Sequence, residues 1–247
     1  MIDLMEPEAS ARPLVFGPKQ SRRLGRSLAV DVIHRKTCPL DCVYCELGRT
    51  DRLTLERREY VKADAVLEEL RTVLRKQHDG IDHITLSASG EPTLNSKLGE
   101  IIKQIKEITT IPVAVLTNGV LLSREDVRRD LLQADVVLPS LDAASDRVFE
   151  AINRPHGRLD LEEIIDGLVA FRKEFTGQIW LEILLVKGIN DTPEELELLK
   201  TIAGWIKPEI IHLNTVVRPP AESWARRVEV EDLRTIRRYF GSTCRVA

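Results

Sequence analysis

Residues 27–45 read SLAVDVIHRKTCPLDCVYC, a short apolar run followed at once by three closely spaced cysteines. The apolar run, at about 27–34, is rich in Leu, Val and Ile and has the length of a buried β-strand. Chemically reactive residues therefore follow directly after the strand ends. The same arrangement recurs along the chain, and it decides the fold prediction.

An apolar strand followed by an amphipathic helix occurs six times in the chain. We predict strands at about 27–34, 82–88, 112–117, 135–141, 178–186 and 209–217. We predict helices at about 62–78, 95–108, 123–133, 160–175, 192–206 and 229–240, each with apolar residues at three- and four-residue spacing. No composition break marks a linker between these units. The sequence therefore predicts an N-terminal arm over 1–26 and a single domain over 27–247.

The ends of the predicted strands decide how the sheet is closed. Strands separated by single helices form a parallel sheet, which is either doubly wound or a partial barrel. Barrels gather functional residues at the carboxyl ends of many strands, whereas an open sheet gathers them at one crevice. Here the successive strand ends carry the cysteine loop, Ser89-Gly90-Glu91-Pro92, Thr117-Asn118-Gly119, Ser140-Leu141-Asp142, Lys187-Gly188, and Asn214 with Arg218. This pattern favours an α/β fold of the partial (β/α)6, TIM-like barrel type.

Composition and charge exclude several classes of protein. Of 247 residues, 43% are hydrophobic and 30% charged, which is typical of a soluble globular protein and excludes a disordered, collagen-like or coiled-coil chain. The formal net charge of -3 excludes a global basic field for non-specific nucleic-acid binding. Residues 1–16 hold no signal-peptide core, and the longest apolar run, 179–186, is far shorter than the roughly 20 residues of a membrane span. We expect a cytoplasmic protein that does not bind membranes.

Cys38, Cys42 and Cys45 have the spacing C-x3-C-x2-C, which lets one loop wrap three thiolates around an inorganic centre. Thiolates select zinc, cuprous copper or iron–sulfur clusters. A structural zinc needs a fourth protein ligand, for which His34 and Cys244 are the candidates, and this reading makes the chain a non-catalytic interaction module. Three ligands without a fourth nearby favour a [4Fe–4S] cluster with one iron open to a substrate or cofactor.

The cysteine motif, with Tyr44 just before its third cysteine, resembles the signature of the radical S-adenosylmethionine (SAM) enzymes. The resemblance covers nearly the whole chain, because members have a partial six-unit βα barrel, a Gly-Gly-Glu-type loop after strand two and polar residues on strand four. In this chain Ser89 stands at the first glycine of that loop. The resemblance implies an iron–sulfur oxidoreductase in which a [4Fe–4S] cluster reductively cleaves SAM. The resulting 5'-deoxyadenosyl radical abstracts hydrogen from a substrate.

The same resemblance implies roles for individual residues. It makes Cys38, Cys42 and Cys45 the cluster ligands. It implies SAM contacts from Tyr44 near the adenine, Gly90 and Glu91 at the methionyl amino group, Ser140 at the carboxylate or ribose, and Thr117 and Asn118 in the same mouth, with Asp142, Glu182 and Asn214 completing the set. Glu182 interrupts an apolar strand, so its carboxylate either faces the lumen near SAM or pairs with a cation.

Three further stretches, Phe16-Gly17-Pro18, residues 21–28 and residues 213–220, are similar to iron–sulfur oxidoreductases related to the wyosine-forming tRNA enzymes. Those enzymes join a pyruvate-derived carbon unit to a methylated guanosine, and they carry a second cluster on cysteines ahead of the main motif. This chain has no cysteine before Cys38. Arg22, Arg23 and Arg218 are candidate phosphate contacts, and Lys187 is a candidate for Schiff-base or proton-transfer chemistry.

The partners follow from this reading. A radical SAM enzyme needs an electron donor, and we expect a flavodoxin or a ferredoxin. The substrate stays open between tRNA and another phosphate-bearing molecule, and an activase that installs a radical on a partner protein is a further alternative. Aromatic residues make up only 4% of the chain, so the sequence offers no stacking platform for single-stranded RNA.

Overall fold

A computed structural model describes residues 12–77, 79–87 and 89–247 of the chain. Its strands are β1 (Val15–Ser21), β2 (Gly25–Val30), β3 (Thr37–Cys38), β4 (Arg52–Leu53), β5 (His83–Leu86), β6 (Val113–Thr117), β7 (Val136–Pro139), β8 (Gln178–Leu185), β9 (Ile210–Thr215) and β10 (Cys244–Val246). Its helices are α1 (Ala63–Lys76), α2 (Leu98–Ile108), α3 (Glu125–Leu131), α4 (Asp146–Asn153), α5 (Leu161–Glu174), α6 (Pro193–Ile206) and α7 (Val230–Phe240). Residues 1–11 of the predicted arm, and the predicted element ends at 78 and 88, lie outside the described residues.

The main sheet has the strand order β1-β2-β5-β6-β7-β8-β9-β10. From β2 to β9 every neighbouring pair is parallel, so each helical connection adds the next strand in chain order. The six strands of this parallel series match the six predicted strands. The partial (β/α)6 barrel is therefore confirmed.

The barrel has additions at both edges and in one connection that the pattern did not predict. β1 pairs antiparallel with β2, with a register shift between Phe16 and Lys19 that interrupts the alternation of side chains. β10 pairs parallel with β9 at the opposite edge. α4 lies between β7 and α5, in a stretch that the sequence pattern left as a loop. The helix predicted over 123–133 is a 3-10 turn, Val120–Ser123, followed by α3.

Side chains on the strands divide between two sides of the sheet. Residues such as Leu28, Ile84 and Val115 are fully buried in the main core beneath the helices. A separate, smaller apolar cluster contains Leu24, Ala114, Val136 and Leu138, with Trp180 packed against it. Ala114, Val136 and Leu138 alternate along their strands with residues of the main core, so they lie on the opposite side of the sheet. The carboxyl ends are left for the polar loops. No helix of the described residues is long and apolar enough to cross a membrane.

Candidate active site

The cysteine loop comprises Cys38, at the end of β3, and residues 39–51, and it connects β3 to β4, two short strands that pair with each other in parallel. Its backbone is tied to the end of α4, because the Asp41 amide donates to Asn153 O at 3.0 Å and the Val43 amide to Ile152 O at 2.9 Å. The buried Lys36 ammonium donates to the Gly48 carbonyl and closes the other side of the loop. These contacts hold Cys38, Cys42 and Cys45 in one partly buried loop, each as a free thiol.

Two side-chain amides point at sulfur atoms of this loop. Asn118 Nδ2 lies 3.4 Å from Cys38 Sγ, and Asn153 Nδ2 lies 3.4 Å from Cys42 Sγ. Burial raises the pKa of the Cys42 thiol to about 12, and burial together with the neighbouring Cys42 raises the pKa of Cys38 well above its usual value. Burial therefore favours the protonated form of the Cys38 and Cys42 thiols, and a strongly cationic centre is needed to displace their protons. Amide donors aimed at sulfur suit such a bound thiolate, so the residues present fit an iron–sulfur cluster.

Glu91 is a buried hydrogen-bond acceptor that joins the loop after β5 to the end of β6. Its Oε1 accepts from the Thr93 amide at 3.0 Å, the Thr93 hydroxyl at 2.6 Å and the Thr117 hydroxyl at 2.6 Å. Its Oε2 accepts from the Asn118 amide at 2.7 Å. Burial raises the pKa of Glu91 although all four bonds act to lower it. The Glu91 carboxylate thus fixes Asn118, the residue whose amide contacts Cys38.

Gly90 brings the loop after β5 against the cysteine loop. A Cβ at Gly90 would lie 2.1 Å from the carbonyl oxygen of Thr37, the residue before Cys38. The Glu91 amide donates to that same oxygen at 3.0 Å. Only glycine permits this approach. Ser89, which replaces the first glycine of the family pattern, is buried, and its hydroxyl donates to the Asp31 carboxylate.

Asp142 is a second buried carboxylate that joins several segments of the site. It accepts from the Tyr44 hydroxyl, from the Leu184 amide at 2.8 Å and from Asn153 Nδ2 at 3.3 Å. Burial raises its pKa, and these bonds oppose the rise. Asp142 therefore orients Tyr44 and Asn153 around the cysteine loop. Ser140, two positions earlier, lies at the β7 end, where its amide donates to the Thr117 carbonyl at 3.0 Å.

The lumen holds a cavity of about 390 Å³ that reaches the cysteine loop. Its walls include Tyr44 and Cys45 together with five predicted site residues, namely Arg22, Arg23, Glu182, Asn214 and Arg218. Glu182 pairs with Arg23, and Asn214 Nδ2 lies 3.4 Å from Glu182 Oε1. The two expectations for Glu182, a place in the lumen and a cationic partner, thus describe one arrangement.

Other sequence candidates lie apart from this cavity. Lys187 is about half exposed, and its ammonium is 3.9 Å from Glu229. Cys244 is fully buried on β10, opposite Ile211 near the amino end of β9, whereas the cysteine loop lies at the carboxyl ends of the strands. His34 is exposed. The three clustered cysteines therefore share one loop, and Cys244 lies apart from that loop.

Two polar residues of the site were missed by the sequence analysis. Asn153 contacts Cys42 and Asp142 from the last turn of α4, a helix that the sequence pattern did not predict. Asp31 accepts from the Ile33 amide at 3.0 Å and from Ser89, and it joins the end of β2 to the loop after β5. The available signal for Asp31 was an aspartate inside the apolar strand predicted at about 27–34.

Comparisons with known proteins identify the family and the fold. A family model described as the Radical SAM superfamily matches residues 32–200. The chain is 36% identical over 228 residues to a UPF0026 protein of Methanocaldococcus jannaschii, a match that covers 92% of this chain and 71% of that protein. It is 41% identical over 232 residues to a protein of Brachyspira hyodysenteriae named GTPase Obg, covering 94% of this chain and 34% of that protein. The chain thus spans about a third of that relative's length.

Among solved structures, the fold is similar to a radical SAM methyltransferase from Sphaerobacter thermophilus. The TM-score is 0.67 at 19% identity, and the match covers 90% of this chain and 66% of that one. At this level of identity the likeness concerns the fold alone.

Proposed function

This chain belongs to the radical SAM superfamily, whose members are enzymes, and we propose that it binds one [4Fe–4S] cluster and SAM to start radical chemistry on a substrate in the lumen. The observation that carries the proposal is the pair of amide contacts to sulfur, from Asn118 to Cys38 and from Asn153 to Cys42. Cys45 completes the ligand set from the cavity wall. Three protein ligands leave the fourth iron for SAM.

Cys38, Cys42 and Cys45 would hold a [4Fe–4S] cluster that, once reduced by an external electron donor, would supply the electron for cleavage of SAM into methionine and a 5'-deoxyadenosyl radical able to take a hydrogen atom from a substrate. The chain's own residues position the reactants. Gly90 lets the loop after β5 lie close against the cysteine loop, where the backbone of the β5 loop would meet the methionyl amino group of SAM. Ser140 offers a short hydroxyl at the end of β7 for the SAM carboxylate or ribose.

Buried carboxylates keep these groups in place. Glu91 holds the Asn118 backbone, and Asp142 holds Tyr44 and Asn153. Because both carboxylates are nine-tenths or more buried and fully engaged within the protein, their role is positioning rather than ligand contact.

We propose a flavodoxin or a ferredoxin as the electron donor, which an enzyme of this superfamily requires. The exposed side of the cysteine loop carries Leu47, and its neighbour Arg49 pairs with Glu222 at 2.6 Å. This apolar and charged edge is the surface nearest the cluster ligands along the chain. It is the surface at which a small redox protein reaches the cluster.

Anaerobic reconstitution with iron and sulfide tests the cluster assignment. The wild-type protein should bind about four irons and four acid-labile sulfides and turn brown. Cys42→Ala should lose most of this content, whereas Cys244→Ala should keep it, because Cys244 lies near the amino end of β9. A colourless protein with one tightly bound zinc would overturn the proposal.

A further inference from the structure

The cavity in the lumen has an excess of cationic side chains. Its cationic residues are Lys19, Arg22, Arg23 and Arg218, and its carboxylates are Glu46 and Glu182. Arg23 pairs with Glu182, and Arg218 pairs with Glu46. Arg22 instead donates to Asn214 Oδ1 at 3.3 Å and to the main-chain oxygen of Ala247, the last residue of the given sequence, at 3.2 Å. Within the described part of the chain, no aspartate or glutamate side chain pairs with Arg22.

The arginines of this wall repel one another. Burial, followed by the charges of Arg22 and Arg218, lowers the pKa of Arg23 to about 10, with Glu46 acting in the opposite direction. Arg23 stays charged at neutral pH, and 18% of its side chain is exposed. An oxyanion placed among these guanidinium groups would remove the repulsion and accept paired hydrogen bonds.

The walls of the cavity also include uncharged polar side chains. Ser27 Oγ and Thr85 Oγ1 lie 2.5 Å apart on neighbouring strands, and both residues line the cavity. His212 is the register partner of Glu182 and lies two positions before Asn214, so it shares their face of the sheet. It is 4% exposed, and within the described part of the chain both of its ring nitrogens lack a hydrogen-bond partner.

The size and lining of the cavity favour a small molecule over RNA. Its volume of about 390 Å³ lies in the range of small-molecule sites. Among the described residues that line it, the one aromatic side chain is Tyr44, whose hydroxyl is engaged by Asp142. Extruded RNA bases are held by stacking on aromatic rings, and this cavity does not supply them.

We propose that this cavity binds a small substrate bearing an oxyanion, a phosphate ester or a carboxylate, with the oxyanion at Arg22 and Arg23 and the polar body of the molecule toward Ser27 and Thr85. The inference rests on the proposed function, because it is the adjacency of Cys45 that makes an occupant of this cavity a substrate. Arginine side chains recognise a phosphate ester and a carboxylate in the same way, so the experiment uses one probe of each kind to distinguish them.

Titration calorimetry on the anaerobic, cluster-loaded protein tests the inference. The probes are inorganic phosphate and citrate, compared with sodium chloride at the same ionic strength. The variants are Arg22→Gln, Arg22→Lys and, as a matched control, Arg129→Gln, which removes an arginine paired with Glu125 on the outer helix α3. In parallel, 5'-deoxyadenosine is measured after addition of dithionite and SAM.

We expect phosphate or citrate to bind and chloride not to bind. Arg22→Gln should weaken binding by about tenfold or more, Arg22→Lys should restore part of it, and Arg129→Gln should leave it unchanged. Binding of phosphate but not citrate would indicate a substrate with a phosphate ester, and binding of citrate but not phosphate would indicate a substrate with a carboxylate. Absence of binding by both anions in a protein that forms 5'-deoxyadenosine would overturn this inference and leave the proposed function standing. Binding of tRNA that depends on Arg22, without binding of either anion, would also overturn it, in favour of an RNA substrate. Absence of 5'-deoxyadenosine with intact anion binding would count against the proposed function instead.

Discussion

Replacing Glu91 by glutamine separates stability from cluster retention. The glutamine oxygen can take the place of Oε1 and keep the three donors from Thr93 and Thr117, but its NH2 group then faces the Asn118 amide. The lost bond is a charge-assisted one of about 1.5–3 kcal/mol, and removing a costly buried charge offsets part of it. We therefore expect the free energy of unfolding of the cluster-free protein to fall by about 1–3 kcal/mol.

The same substitution should affect the cluster more than its stability cost alone implies. Asn118 is held by Glu91 and contacts Cys38 Sγ, so its release removes a positioning contact of a cluster ligand. Loss of such outer partners typically costs about 10- to 100-fold in metal affinity. Urea unfolding measures the first effect, and the rate of iron loss to a chelator measures the second.

Glu195→Gln is the matched control. Glu195 is equally buried and accepts from the Ala144 amide at 2.5 Å, the Ser145 amide at 3.1 Å and the Ser145 hydroxyl at 2.7 Å, all away from the cysteine loop. It should destabilise the protein to a similar degree while iron loss stays at the wild-type rate. If both variants lose iron equally fast, or if Glu91→Gln keeps its iron, then Glu91 has no specific role in holding Asn118.

Three further changes have distinct readouts. Gly90→Ala should abolish cluster loading, because its Cβ would lie 2.1 Å from Thr37 O, whereas Gly157→Ala, with open space around its Cβ, should load normally in the same iron assay. His212→Phe should make the free energy of unfolding less dependent on pH below about pH 6.5. Burial, followed by the charges of nearby arginines, lowers the pKa of His212 from 6.5 to about 4. As the pH falls, the unfolded chain therefore takes up the proton before the folded protein does, and the free energy of unfolding of the wild type should fall by up to about 3 kcal/mol between pH 6.5 and 4. Urea unfolding at each pH measures this change. A wild-type curve that is flat in this window would contradict the burial of a neutral imidazole. Asn153→Ala removes an amide donor from Cys42 Sγ, so the midpoint potential of the cluster should become more negative in a redox titration; an unchanged potential would mean that this contact does not reach the bound cluster.

The barrel was predictable because its signal is repeated. Each parallel strand is an apolar run, and each is followed by an amphipathic helix, so six independent segments point to the same topology. The hairpin strand β1 escaped prediction because Gly17 and Pro18 interrupt its alternation, and the sheet tolerates them at an edge. The short edge strand β10 lacks the length that a strand pattern needs, and it is stabilised by pairing with β9.

The sequence predicted which strand ends carry the polar residues of the candidate site, but it did not predict the hydrogen bonds that connect those residues. The sequence brought out Glu91, Asp142 and Asn118 as polar residues after strands. It did not distinguish side chains that meet a ligand from side chains that hold other residues, because that depends on which partners surround a buried carboxylate. Asn153 shows the same limit, since its place beside Cys42 follows from the end of α4 and not from any local motif.

The most direct test of the account is the formation of 5'-deoxyadenosine by the anaerobically reconstituted, dithionite-reduced protein after addition of SAM, with electron paramagnetic resonance of the reduced cluster recorded before and after the addition. The account predicts a [4Fe–4S] signal that changes when SAM binds, and 5'-deoxyadenosine from the wild type and from Cys244→Ala but not from Cys42→Ala. A fully loaded cluster whose signal is unchanged by SAM and which gives no 5'-deoxyadenosine would contradict it.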